Sequence, residues 1–147
     1  MILLILIFFA TVFYTLFDFF ASKASNQLDP NFSAVLFNGI GALIPFVVYV
    51  FYKLSKGAQL ITTTRAGVLN SILAGVSIAL FSMLLIKVFE KGGLTYVVPL
   101  IYGGTIVLAS LLGWLVSKEQ ITLLQGLGIV VIALGIGMVV VGKAQVI

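Results

Sequence analysis

Five long apolar runs, separated by short polar segments, dominate the pattern of residues along the chain. They cover residues 2–21, 32–52, 66–88, 96–116 and 123–142. A helix needs about 20 apolar residues, at a rise of about 1.5 Å each, to cross a hydrocarbon core of about 30 Å. A membrane β-barrel is excluded, because its strands alternate apolar and polar residues over about ten positions. We therefore predict an all-α bundle of five transmembrane helices, forming one domain over residues 1–147.

Polar residues at the starts of two runs carry helix-capping signals. Asp29 precedes Pro30, which is the order expected of an N-cap followed by proline at the first helical position. Thr122 and Gln125 have the spacing of a capping box, in which each side chain bonds the backbone of the other residue. Both signals support the positions of the predicted helices.

The composition leaves no room for a soluble domain. Of the 147 residues, 62% are apolar and 8% are charged, against about 45–50% and about 25% in ordinary soluble domains. The chain has no Cys and no His, which removes disulfides and the usual zinc and haem ligands. The basic residues are scattered and form no run that would follow a phosphate backbone. We expect a lipid bilayer as partner, no cofactor, no metal and no nucleic acid.

A cleaved signal peptide is an alternative for the first apolar run. The run has no basic residues before it, and it is too long for the apolar region of a signal peptide. The sequence Ser22-Lys23-Ala24 resembles a cleavage site only loosely. We favour a retained first helix.

The eight Lys and Arg residues are divided evenly between the two sides of the predicted bundle. The side of the N-terminus carries Lys53, Lys56, Arg65 and Lys118. The opposite side carries Lys23, Lys87, Lys91 and Lys143. An excess of Lys and Arg in the cytoplasmic loops normally sets orientation. The even division predicts a chain that inserts either way up, and a fixed orientation set by a smaller bias remains an equal alternative.

Five residues in or near the predicted helices are candidates for substrate binding. Charged groups inside a bilayer are costly and point to function by default, and Asp18 can pair with Lys87 because both lie towards the same side. Asn38, Asn70 and Tyr102 lie deeper and can line a wet cavity. Two alternatives stay open: Lys87 can reach the headgroups, and Asn70 can bond a neighbouring helix.

Stripes of small residues predict tight helix contacts, because small side chains let two backbones approach in lipid. The third run has such a stripe at four-residue spacing: Gly67, Ser71, Gly75 and Ala79. The fifth has one at seven-residue spacing: Gly128, Gly135 and Gly142. We expect the first stripe to meet a helix of the same chain. For the second, a contact with another chain is equally plausible.

The second half of the chain also carries a recognisable pattern. It comprises Lys91-Gly92-Gly93, Val97-Val98-Pro99-Leu100, Glu119, Ile121-Thr122, Gln125, Gly128, Ile132 and Gly135. In this pattern the stretch from Ala79 to Gly142 resembles the EamA-like repeat of the drug/metabolite transporter superfamily. The first helix resembles the family more loosely, since the Trp-Gly pair common there is missing.

The resemblance implies a transporter of small metabolites or drugs. Typical members carry ten helices, arranged as two five-helix repeats of opposite orientation around a central cavity, and this chain resembles one repeat. The resemblance also implies a partner, which is either a second copy in an antiparallel homodimer or a separate five-helix chain. The two units would then transport by alternating access. We expect a prokaryotic cell membrane as its location.

Two other functional classes are compatible with a five-helix membrane protein. The first is a non-transporting assembly or scaffold subunit, whose polar residues would be packing contacts. The second is an intramembrane enzyme, which we disfavour. The sequence has no nucleophile–base pair, no phosphate-binding glycine loop and no metal cluster.

Overall fold

The structure is a computed structural model that describes residues 2–56 and 64–144. Five helices make up this part of the chain, and each is long and apolar enough to cross a membrane. They are α1 (Ile2–Ala24), α2 (Pro30–Lys56), α3 (Arg65–Lys91), α4 (Leu94–Leu115) and α5 (Leu123–Ala144). The predicted all-α fold with five transmembrane helices is confirmed.

The predicted N-cap of α2 is present. Asp29 Oδ1 accepts hydrogen bonds from the backbone N–H groups of Asn31 and Phe32, both at 3.0 Å, and Pro30 is the first helical residue. At the start of α3, Thr64 Oγ1 accepts a bond from the Gly67 N–H at 3.0 Å. These bonds satisfy backbone donors that a helix N-terminus leaves without partners.

The predicted capping box of α5 is also confirmed. Gln125 Oε1 accepts a bond from the Thr122 N–H at 2.8 Å. In return, the Gln125 N–H donates to Thr122 Oγ1 at 3.3 Å. The two residues therefore secure the chain where it enters α5.

Two prolines lie inside helices, Pro45 in α2 and Pro99 in α4. A proline has no N–H, so the carbonyl four residues earlier loses its helical hydrogen bond. Pro45 has this effect on Gly41, and Pro99 on Thr95. The second case lies near a helix start, since α4 begins at Leu94 after an extended Gly93.

The chain divides into two compact units, Met1–Lys91 and Gly92–Ile147. In the first unit α3 packs against both α1 and α2. The second unit is the pair of helices α4 and α5. A Cβ atom added to Gly103 of α4 would lie 2.6 Å from both Cγ1 and Cδ1 of Ile136 in α5. Gly103 is thus a point of close approach between these two helices.

The ends of the second unit are also in contact. Lys143 Nζ, near the end of α5, lies 3.9 Å from the ring centroid of Tyr96, near the start of α4. This is the distance of a cation–π interaction. It shows that α4 and α5 run antiparallel.

Candidate substrate site

A hydrogen-bonded pair joins α2 to α3 in the first unit. The Asn38 Nδ2 group donates to Ser82 Oγ at 2.7 Å and to the carbonyl of Ala34 at 2.8 Å. The Ser82 hydroxyl in turn donates to the carbonyl of Ala79 at 2.7 Å. Because backbone carbonyls only accept, these bonds fix which end of the Asn38 amide faces the helix. Both hydrogens on its nitrogen are donated in hydrogen bonds, whereas its oxygen accepts none from the described residues.

A cavity of about 420 Å³ adjoins this pair. Its lining comes from all three helices of the first unit: Tyr14, Phe17, Phe37, Asn38, Gly41, Ala42, Ile78 and Ser82. The volume falls in the range of about 300–1,000 Å³ that is usual for small-molecule sites. The lining is mostly apolar with a few polar groups, which is also typical of such sites.

The cavity lies far from the helix ends. At about 1.5 Å per residue, Asn38 is about 12 Å from the start of α2, and Ser82 is about 14 Å from the end of α3. Tyr14 is about 15 Å from the end of α1 by the same measure. These three helix ends belong to one side of the bundle, because the helices alternate in direction. The lining residues therefore lie near the middle of a hydrocarbon core of about 30 Å.

Aromatic rings from α1 and α2 form one wall of the cavity. The rings of Phe17 and Phe37 meet edge to face, with their centroids 5.2 Å apart. The rings of Tyr14 and Phe17 are tilted at 5.7 Å. Aromatic pairs of this kind contribute about 0.5–1.5 kcal/mol beyond the area that they bury. The cavity thus combines an aromatic wall with a polar edge at Asn38.

The five residues predicted from the sequence have different surroundings. Asn38 is half-buried and, alone among the five, lines this cavity in the described part of the chain. Asp18 is buried, with 2% of its surface exposed. Lys87 and Asn70 are exposed, and Tyr102 lies half-buried in the second unit. The roles of Asp18, Asn70, Tyr102 and Lys87 in substrate binding stay predictions.

The prediction from the sequence missed Ser82 and the aromatic wall. A serine in an apolar run is not distinctive, since α3 also carries Ser71 and Ser77, both of which are exposed. The sequence did hold one signal for this region, which is Pro45. A proline inside a spanning helix frees the carbonyl four residues earlier, here that of Gly41. Gly41 lies on the lining of the cavity.

A second cavity, of about 320 Å³, lies in the second unit beside the connection of α4 to α5. Its polar lining includes Ser110, Glu119 and Gln125. The Glu119 N–H bonds the carbonyl of Gly113 at 3.0 Å, after Lys118 in the left-handed conformation (φ 57°). This cavity adjoins the ends of two helices, where the chain turns. The cavity beside Asn38 is the better candidate site, because it lies at the depth where transporters bind substrate.

Comparison with known proteins agrees with this picture of a membrane bundle. The model of the EamA-like transporter family matches residues 1–141. The chain belongs to this family. Members of the family are transporters and not enzymes.

A relative from Methanocaldococcus jannaschii bears the name Uncharacterized protein MJ1333.1. It is 32% identical to this EamA-like chain over 125 residues, which are 85% of this chain and 86% of the relative. No solved structure matches the chain. The match spans nearly all of both proteins, so the relative is similar in overall extent as well as in sequence.

Proposed function

We propose that this EamA-like protein carries small molecules across a prokaryotic cell membrane, and that the cavity beside Asn38 is its substrate site. The observation that carries the proposal is the Asn38–Ser82 pair at the edge of an aromatic cavity midway through the bundle. A polar group at that depth is costly unless it is bonded or serves a ligand. Membership of a transporter family supports the same function.

The proposed mechanism is alternating access by two five-helix units of opposite orientation. Alternating access commonly uses inverted repeats, with the site near the midplane between them. The even division of Lys and Arg supports an antiparallel homodimer, in which one sequence supplies both orientations. A separate five-helix chain of opposite orientation is the alternative source of the second unit.

An open stripe of small residues on α3 offers a surface for that partner. Gly67, Ser71, Gly75 and Ala79 are all exposed. A Cβ atom added to Gly75 would meet nothing within 4 Å in the described part of the chain. The expected contact of this stripe within the chain is therefore not formed at Gly75. Small residues favour close approach of helices in lipid, which supports a contact with a second chain.

Flux into proteoliposomes tests the transport function. Because the substrate is unidentified, a labelled panel should contain an amino acid, a nucleoside, a sugar and an apolar amine. We expect at least one class to move faster than in empty liposomes, and Asn38→Leu to abolish that flux. Ser77→Ala is a matched control, since Ser77 is exposed and, among the described residues, its hydroxyl donates to the Leu73 carbonyl of its own helix and to no other group. Flux that Asn38→Leu leaves unchanged would remove the assigned role of Asn38, and the absence of flux for every class would favour a scaffold subunit.

Labelling of introduced cysteines tests the orientation. The chain has no Cys, so Asn26→Cys and Ser117→Cys each place one thiol on an opposite side, both at exposed positions. For dual orientation we expect an impermeant reagent to label part of each variant in intact cells. Complete labelling of one variant and none of the other would exclude the antiparallel homodimer and leave a separate partner chain.

A further inference from the structure

The cavity beside Asn38 offers hydrogen-bond acceptors at its polar edge. Both hydrogens of the Asn38 amide are donated, to Ala34 and to Ser82. The Ser82 hydroxyl hydrogen is donated to Ala79. Of the polar atoms of this pair, Asn38 Oδ1 accepts no hydrogen bond from the described part of the chain, and an amide oxygen can only accept.

Gly41 adds a second acceptor one turn further along α2. It has no side chain, so its place on the lining of the cavity is held by backbone atoms. Pro45 supplies no N–H for the Gly41 carbonyl, which therefore lacks its normal helical partner. In lipid, a freed carbonyl is tolerated where it is buried in protein or lines a cavity. Asn38 and Gly41 thus bring two acceptor groups to the same helix face.

The rest of the lining suits a positive charge better than a negative one. The rings of Tyr14, Phe17 and Phe37 lie on the lining of the cavity, and aromatic faces attract cations. In the described part of the chain, no Lys or Arg is among the lining residues. The residue that follows Phe17 on α1 is Asp18, an acid.

We propose that the cavity binds apolar molecules that carry a hydrogen-bond donor, above all a primary ammonium group, and that it rejects carboxylates. This inference rests on the proposed function, because it names the substrate class of the same site. The ammonium would donate to Asn38 Oδ1 and to the Gly41 carbonyl, while the apolar body packs against the aromatic wall. A carboxylate would meet these two acceptors with its own lone pairs, and no Lys or Arg on the described lining would offset its charge.

Titration calorimetry on the full chain in lipid nanodiscs can test the order of affinities. The four probes share one phenyl ring: 2-phenylethylammonium, its N,N,N-trimethyl derivative, 2-phenylethanol and 3-phenylpropionate. The trimethyl derivative keeps the charge and loses the N–H donors, so it separates charge from hydrogen bonding. We expect 2-phenylethylammonium to bind at least about tenfold more tightly than 3-phenylpropionate, as a charge-assisted bond allows. We expect the other two probes to bind with intermediate affinity.

Two substitutions change the acceptors themselves. Pro45→Ala supplies an N–H to the Gly41 carbonyl, so we expect weaker binding of 2-phenylethylammonium although the helix gains a bond. Pro99→Ala is the matched control, because Pro99 is the other proline inside a helix and does not line the cavity. Ser82→Ala leaves one Asn38 N–H without its acceptor, so the preference for 2-phenylethylammonium over 3-phenylpropionate should fall. Each preference is a ratio measured within one variant, and it does not depend on how much of that variant folds.

Each outcome of these titrations supports or overturns the inference. Equal or tighter binding of 3-phenylpropionate overturns it, as does a preference that neither Pro45→Ala nor Ser82→Ala alters. Absence of binding by all four probes also overturns it. The proposed function fails separately, when no class of the flux panel moves. A flux that requires Asn38 but does not carry the apolar amine would keep the transport function and remove this substrate class.

Discussion

The side chains of Asn38 and Ser82 are joined by a hydrogen bond of 2.7 Å, although 44 positions separate them in the chain. The bond ties α2 to α3 near the middle of the membrane. It also determines what the cavity can offer, because it uses an amide hydrogen that a ligand would otherwise meet. One contact therefore contributes both to the packing of the first unit and to the chemistry of the proposed site.

Loss of this bond should cost little stability. Interhelical hydrogen bonds in membrane proteins contribute about 0.6 kcal/mol on average and about 1.7 kcal/mol at most. We therefore expect Ser82→Ala to lower the free energy of unfolding in mixed micelles by about 0.6–1.7 kcal/mol. Ser77→Ala should lower it less. A loss of several kcal/mol would show that Ser82 has a larger role in packing than its hydrogen bonds indicate.

Gly103 should tolerate substitution poorly, and its neighbour Gly104 should tolerate it well. A Cβ atom on Gly103 would lie 2.6 Å from two side-chain atoms of Ile136, whereas one on Gly104 meets nothing within 4 Å. Overpacking costs about 1–3 kcal/mol. We expect Gly103→Leu to lower the free energy of unfolding in detergent by an amount in this range, and Gly104→Leu to change it little. Equal effects at both positions would mean that α4 and α5 do not meet at Gly103.

The contact of Lys143 with Tyr96 should depend on the aromatic ring and not on the hydroxyl. A cation–π interaction contributes about 0.5–1 kcal/mol at exposed sites. We expect Tyr96→Leu to destabilise the second unit by this amount and Tyr96→Phe to preserve it. A double-mutant cycle with Lys143→Met measures the coupling directly. A coupling energy near zero would contradict the contact.

The N-cap of α2 should respond to loss of the Asp29 carboxylate. Asp29 Oδ1 accepts bonds from two backbone N–H groups, and replacing such a cap by Ala costs about 1 kcal/mol. We expect Asp29→Ala to lower the unfolding free energy by this amount and Asp29→Ser, which can still accept one bond, to lower it less. If Asp29→Ala leaves the unfolding free energy unchanged, the cap bonds contribute nothing measurable.

The sequence by itself determined the number of helices and several of their ends. Hydrophobic length sets how many segments can span the bilayer, and capping depends on neighbouring residues such as Asp29 with Pro30, or Thr122 with Gln125. The helices run a few residues beyond the apolar runs, as α3 does to Lys91. The reason is that lipid exposure limits the apolar run, whereas backbone hydrogen bonds continue the helix into polar sequence.

Only the tertiary structure decided which polar residues line the cavity proposed as the site. Asn38, Asn70 and Tyr102 are equivalent in sequence, each a polar group within an apolar run. In lipid, hydropathy does not mark the inward face of a helix, because the surrounding solvent is as apolar as a packed neighbour. The rotation of α2 against α3 brings Asn38 to Ser82 and leaves Asn70 exposed. That rotation depends on side-chain packing between distant segments, and it is what makes Asn38 the polar edge of a cavity.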